Sequence, residues 1–147
     1  MAYEDGPYIQ MACICEQVIE DKTGCISVIR VIDTVTHTVA RPDAPEVMPP
    51  FMHNSKLVLM FKAGMARGRS TLKIVPELPS GETGDPVILT TYFEGDERGQ
   101  NIFINLNYTF TLEGLYWFRI LLDDVKITAI PFRVKYNRIV TGSTSQQ

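Results

Sequence analysis

The sequence predicts an all-β chain, an antiparallel two-sheet β-sandwich of about eight strands. Three observations carry this. Apolar residues recur at period two, the spacing of a strand, most cleanly at Ile102, Ile104, Leu106, Tyr108 and Phe110. Turn-forming clusters of Gly, Pro, Asp and Ser punctuate the chain at roughly 8–12-residue intervals, the spacing of sandwiches. No segment combines a helical apolar period with capping residues.

Residues 8–19 read as the first strand, with Ile9, Met11, Cys13 and Cys15 on one face by alternation. The polar turn at 20–24 leads into a second strand over 27–35, paired antiparallel because the connection is short. Residues 36–54 hold Pro42, Pro45, Pro49 and Pro50, which lack the N–H a ladder needs, so they read as a long loop. Residues 56–62, Lys-Leu-Val-Leu-Met-Phe-Lys, are apolar almost throughout and predict a central strand buried on both faces.

A turn at 64–69 then leads to a strand over 70–78 carrying Leu72 and Ile74, a loop at 79–85, a strand at 87–93, a turn at 94–99 and the strand ending at Phe110. The last two strands form a hairpin over 114–134 around Asp123-Asp124, a pair that tolerates the positive φ of a tight turn. Tyr116, Phe118, Ile120 and Leu122 share the core face of its first arm, leaving Leu115, Trp117, Arg119 and Leu121 on the other. Residues 8–139 form one domain between an N-terminal extension (1–7) and a polar tail (140–147) too poor in apolar side chains to dock, and therefore disordered.

At 147 residues one core suffices, and a net charge of −3 with a pI near 5.4 gives no general attraction to nucleic acid or anionic lipid. No apolar run approaches the ~20 residues of a membrane span. The opening Met-Ala-Tyr-Glu-Asp-Gly-Pro is acidic where a signal peptide is basic and then apolar. Three cysteines cannot all pair within one chain and suit a reducing compartment, so the expected location is cytoplasmic.

Residues 15–33, Cys-Glu-Gln-Val-Ile-Glu-Asp-Lys-Thr-Gly-Cys-Ile-Ser-Val-Ile-Arg-Val-Ile-Asp, resemble the opening hairpin of a bacterial family of small uncharacterised β-sandwich proteins. That pattern reads Cys-Asp-x-Val-x-Glu-Asp, then Gly-Lys-Leu-Ser-Leu-Ile-Gly-Ile-Phe-Asp. Gly114, Tyr116, Phe118, Asp123, Pro131, Phe132 and Val134 are similar to its closing Gly-x-Tyr-x-Phe, Asp-Gly turn and Pro-Phe-x-Val. The likeness spans residues 12–134 and implies a sandwich and no activity. The chain departs from it at Cys25, where the family has lysine, and at Arg30 and Asp124, where it has glycine.

Cys13, Cys15 and Cys25 with His37 or His53 hold the ligand types of a zinc tetrahedron. A single residue between two strand-borne thiols is not the usual knuckle, however, and free cysteine is among the most buried residue types, so core packing is preferred and no metal or cofactor is expected. Cys15 is the candidate nucleophile if one exists, but a mid-strand apolar setting raises a thiol's pKa and leaves it inert, so no catalytic residue is assigned. The acidic turns at Glu20-Asp21, Glu94–Glu97 and Asp123-Asp124 could offer oxygens to calcium but read as solvated. Arg67 and Arg69 read as a soluble hairpin tip.

Two surfaces remain. The long loop offers His37, Met48, Phe51, Met52 and His53 as a lid or a binding surface. Trp117, Leu121 and Arg119, joined by Phe103, offer an outward apolar patch for self-association as a homodimer. The expected role is a non-catalytic interaction or assembly module with a protein partner, and no nucleic acid or membrane. The alternatives are a structural subunit of a larger particle and a cysteine- or metal-dependent enzyme.

Overall fold

A computed structural model describes residues 3–142. Seven strands form: β1 (Tyr8–Glu20), β2 (Ile26–Val31), β3 (Thr34–Ala40), β4 (Phe51–Glu77), β5 (Val87–Phe110), β6 (Gly114–Leu122) and β7 (Val125–Ile139). They hydrogen-bond in the order β2-β1-β4-β6-β7-β3, with β5 on β4. Every pairing is antiparallel except β3 with β7. The all-β class is as the periodicity predicts, but the strand count is seven rather than eight.

The difference has a physical cause. The stretches 64–69 and 94–99, expected as turns, face each other across one long hairpin: Gly64 opposes Asp96 and Arg67 opposes Glu94, with register shifts on either side of Gly64. Gly64, Gly68, Gly95 and Asp96 have φ of 60°, 96°, 92° and 57°. Turn chemistry here makes bulges that bend two continuous strands instead of reversing the chain. The expected second strand also divides at Ile32-Asp33, and β3 claims Thr34–Ala40 by pairing with β7. The long loop is therefore only residues 41–50, and His37, Phe51, Met52 and His53 are strand residues.

β4 organises the sheet. Its first half lies between β1 and β5, its second between β6 and β5. Leu57, Val58 and Leu59 are 0% exposed, the burial on both faces that their unbroken apolar run predicts. In β1 a bulge between Ile9 and Met11 corrects the expected face: Ile9 opposes Phe61 and packs on the core, whereas Met11, Cys13 and Cys15 oppose Met60, Val58 and Lys56 on the outer side.

In the β6–β7 hairpin, Asp123 and Asp124 adopt φ of 49° and 65°, and Tyr116, Phe118, Ile120 and Leu122 are buried, as alternation requires. Phe110 stacks on Phe132 at 5.5 Å, and Tyr108 meets Phe118 edge-on at 5.6 Å. The Tyr116 hydroxyl donates to the Leu112 carbonyl at 2.9 Å and accepts from the Leu112 N–H at 3.0 Å, locking the turn before β6. Tyr116→Phe strands both backbone groups and is expected to cost about 1–3 kcal/mol in urea denaturation. An unchanged midpoint would show that water replaces the hydroxyl freely.

Arg30 and Asp124, the two places where the resembled family has glycine, both lie in the left-handed region, at φ of 58° and 65°. For a non-glycine residue that region costs roughly 1–2 kcal/mol, against about 0.5–1 kcal/mol of extra chain entropy lost by glycine. Arg30 gains only an exposed ion pair with Glu16 at 3.1 Å, of small worth. Arg30→Gly is therefore expected to raise stability by about 0.5 kcal/mol, read as a higher urea midpoint. A lower midpoint would contradict the strain.

Residues 3–7 run beside the bend in β4, where the Met65 N–H donates to the Asp5 carbonyl at 3.0 Å. The expected disordered tail falls mostly on 143–147, outside the described residues.

Candidate functional site

The three cysteines are free and do not converge. Because β1 continues to Glu20 before turning, Cys25 sits at the tip of the β1–β2 hairpin, exposed, five strand residues (~17 Å) past Cys15. Cys25 therefore lies too far from Cys15 for the three thiols to ligate one zinc ion. Burial raises the pKa of Cys13 and of Cys15, and the neighbouring Cys15 raises Cys13 further. Both thiols point outward from β1, whereas His53 opposes Tyr108 on the core side. Among the described residues no three His, Cys, Asp or Glu side chains gather as metal ligands.

Asp21, Glu94, Asp96, Asp123 and Asp124 of the acidic turns already have protein partners. The Asp21 carboxylate accepts from the Thr23 hydroxyl and from the N–H groups of Thr23 and Cys25, which hold its pKa below the ordinary value. Asp123 accepts from the Thr71 N–H at 2.8 Å, Asp124 pairs with Lys73 at 2.8 Å, and Glu94 pairs with Arg98 at 2.7 Å. Arg67 donates to the Glu94 carbonyl and lies 3.5 Å from Asp96, so it braces the bulge.

The residues expected in the binding loop come together as packing. His37 stacks on Phe51 at 4.3 Å and lies 6.3 Å from Tyr136, whose hydroxyl donates to the Pro45 carbonyl at 2.6 Å. Arg138 Nε donates to the Ala44 carbonyl at 3.0 Å, and Met48 is buried in the core cluster. The loop is thus tied down over the β3–β7 end, leaving Met52 exposed at its rim.

His53 Nδ1 is buried without a partner, and burial lowers its pKa, against a smaller upward pull from Glu16. The folded protein thus resists a proton that the unfolded chain accepts near pH 6.5. Stability is whole above that pH and falls as pH drops toward the lower folded value. Replacing the ring, His53→Leu, is expected to flatten this decline in denaturation curves between about pH 7 and 5; parallel curves for the two proteins would refute it.

The expected interface residues divide. Trp117 opposes Glu77 and Pro131, Leu121 opposes Lys73 and Lys126, and both are half-buried. Arg119 lies over the indole at 5.6 Å and bonds Glu77 at 2.8 Å, so two members of the patch already pack on each other within the chain. Phe103 does not join Trp117. From β5 it opposes Val58 of β4, and β4 is the only strand hydrogen-bonded to β5 among the described residues.

Around Phe103 lie residues that the sequence reading did not join to it. Met60, Met11, Cys13 and, across β1 from Cys15, Val31 share its outer face. The signal was present in the alternation of β1 and the double burial of β4, but only the strand order brings the two together. A cavity of about 40 Å³ between Ile74, Val87, Tyr108 and Phe118 holds about one water, far below the ~300 Å³ of a small-ligand pocket.

A family model described as Family of unknown function (DUF6941) matches residues 10–135. The chain belongs to this family. The match runs from β1 into β7 and takes in both hairpins, every cysteine and the Phe103 face. DUF6941 carries no assigned activity. No curated protein matches the chain.

Proposed function

We propose that this DUF6941 chain is a non-catalytic β-sandwich module of the cytoplasm that assembles with itself or with another protein. Support for two packed layers comes from contacts between strands that are not neighbours in the sheet: Phe110 of β5 on Phe132 of β7, and His37 of β3 on Phe51 of β4. The bends in β4 and β5 let each strand serve both layers.

The observation that carries the functional reading is the outer face of β1, β4 and β5. Met11, Phe103 and Val31 are 37%, 39% and 62% exposed there, beside half-buried Cys13 and Met60 and fully buried Val58, with Lys56 and Asn105 on the same face. Exposed apolar side chains grouped on one sheet face mark contact surfaces. Free thiols with raised pKa fit a reducing compartment and argue against a cysteine nucleophile.

Thiol titration and metal analysis of the native protein test this against the enzyme reading. The expected result is one fast thiol, Cys25, two slow ones and no stoichiometric metal. A fast Cys15 or bound zinc would overturn it. The second reading, a subunit of a larger particle, draws on the same open face and predicts a solution mass that keeps growing with concentration.

A further inference from the structure

We infer that the free edge of β5 is a pairing seam for β5 of a second copy, joined antiparallel through residues 100–110. This rests on the reading of the chain as an assembly module and names the partner. β5 pairs with β4 over its whole length, from Ile74 opposite Val87 to Phe51 opposite Phe110, and with no other strand. Its far side therefore presents a row of backbone donors and acceptors without a strand partner among the described residues.

Edges that must stay alone are normally short, charged, bulged or interrupted by proline. The other two edges follow that rule in part. β2 is six residues long and carries Arg30 in a left-handed conformation, and β3 offers seven residues between Asp33 and Arg41. In β5 the bulge and the charges are confined to Glu94–Arg98, while residues 100–110, Gln-Asn-Ile-Phe-Ile-Asn-Leu-Asn-Tyr-Thr-Phe, contain no charge, proline or glycine.

The side chains show the same incompleteness. Ile102 and Ile104 oppose Leu59 and Leu57 on the core side; the two leucines are fully buried, but the two isoleucines are only half-buried. A second β5 covers what is missing. With the two-fold axis at Asn105, Ile104 meets Leu106 and Ile102 meets Tyr108 on the core side, while Phe103 meets Asn107 on the outer side.

The charges favour a second copy over a foreign strand. A self-pairing through 100–110 sets no like charges opposite each other, and the acidic block of Glu94, Asp96 and Glu97 stays outside the ladder. Residues 100–110 themselves offer a charged strand no charged side chain; the nearest cation, Lys56 of β4, is already bonded to Asn105. The closed two-fold dimer also uses up the edge on both copies.

Light scattering at tens of micromolar is expected to give twice the 16.6 kDa chain mass. Phe103→Lys with Asn107→Lys is expected to return the monomer mass while leaving the circular-dichroism spectrum unchanged. In a Cys25→Ser background, Asn105→Cys is expected to form a covalent dimer on mild oxidation, because the axis sets position 105 opposite itself. Asn101→Cys, which would face Thr109, is expected not to. A wild type that stays monomeric at about 100 µM, a dimer that survives the double-lysine variant, or crosslinking at 101 in place of 105 would overturn the seam. Fast Cys15 thiols or bound metal would instead overturn the module reading, so the two failures are read in separate measurements.

Discussion

Phe118→Ala is expected to lower the free energy of unfolding by about 3–5 kcal/mol, the range for removing a buried aromatic ring together with the cavity it leaves. Phe118 is 1% exposed, meets Tyr108 edge-on at 5.6 Å and lies 6.5 Å from Phe132. It also lines the cleft of about 40 Å³, so truncation enlarges a space already present beside the ring. Collapse is hindered further because β6 is held on both sides, by β4 and by β7. The cost therefore belongs toward the upper end of the range. Urea denaturation reads it directly, and a loss below about 1 kcal/mol would mean that Phe118 does not face the core.

Features set by neighbours in sequence were legible. The β6–β7 hairpin follows from period two plus an Asp-Asp turn, and the burial of Leu57, Val58 and Leu59 on both faces follows from an unbroken apolar run. Glycine punctuation was legible but ambiguous. Gly64, Gly68 and Gly95 supply positive φ whether the chain reverses or bulges, and only the opposing strand decides which.

Relations set by distant residues were not legible. β3 exists because Val35 finds Val134 in a parallel register, and nothing near Val35 announces a partner almost a hundred residues away. Joining Phe103 to Trp117 failed for the same reason. Alternation gives the face of each side chain, whereas the order β5-β4-β6 separates the strands that carry them. The departure at Arg30 was visible as a missing glycine, but its left-handed backbone is a property of the fold.

Gly64→Ala is expected to cost about 2–5 kcal/mol, the sum of roughly 1–2 for a left-handed backbone and 1–3 for forced overpacking. Gly64 has φ of 60°, and a Cβ there would overlap the Asp5 carbonyl oxygen and come within 2.7 Å of the Tyr8 ring. That oxygen cannot retreat freely, because it accepts the Met65 N–H at 3.0 Å. Gly6 on the crossing segment is as tightly placed, since its own Cβ would lie 2.8 Å from the Met65 nitrogen. The two glycines thus let residues 5–8 cross the bend of β4 in backbone contact. Gly68, at φ of 96° with open space around its Cβ, carries only the conformational cost, and Gly68→Ala is expected to lose about 1–2 kcal/mol. Deleting residues 1–8 separates the two contributions. In the shortened chain the cost of Gly64→Ala should fall to that of Gly68→Ala, as urea midpoints of the full-length chain, its two variants, the shortened chain and its Gly64→Ala variant would show. An undiminished cost would place the strain inside the β4–β5 bulge itself, with no share from the crossing segment.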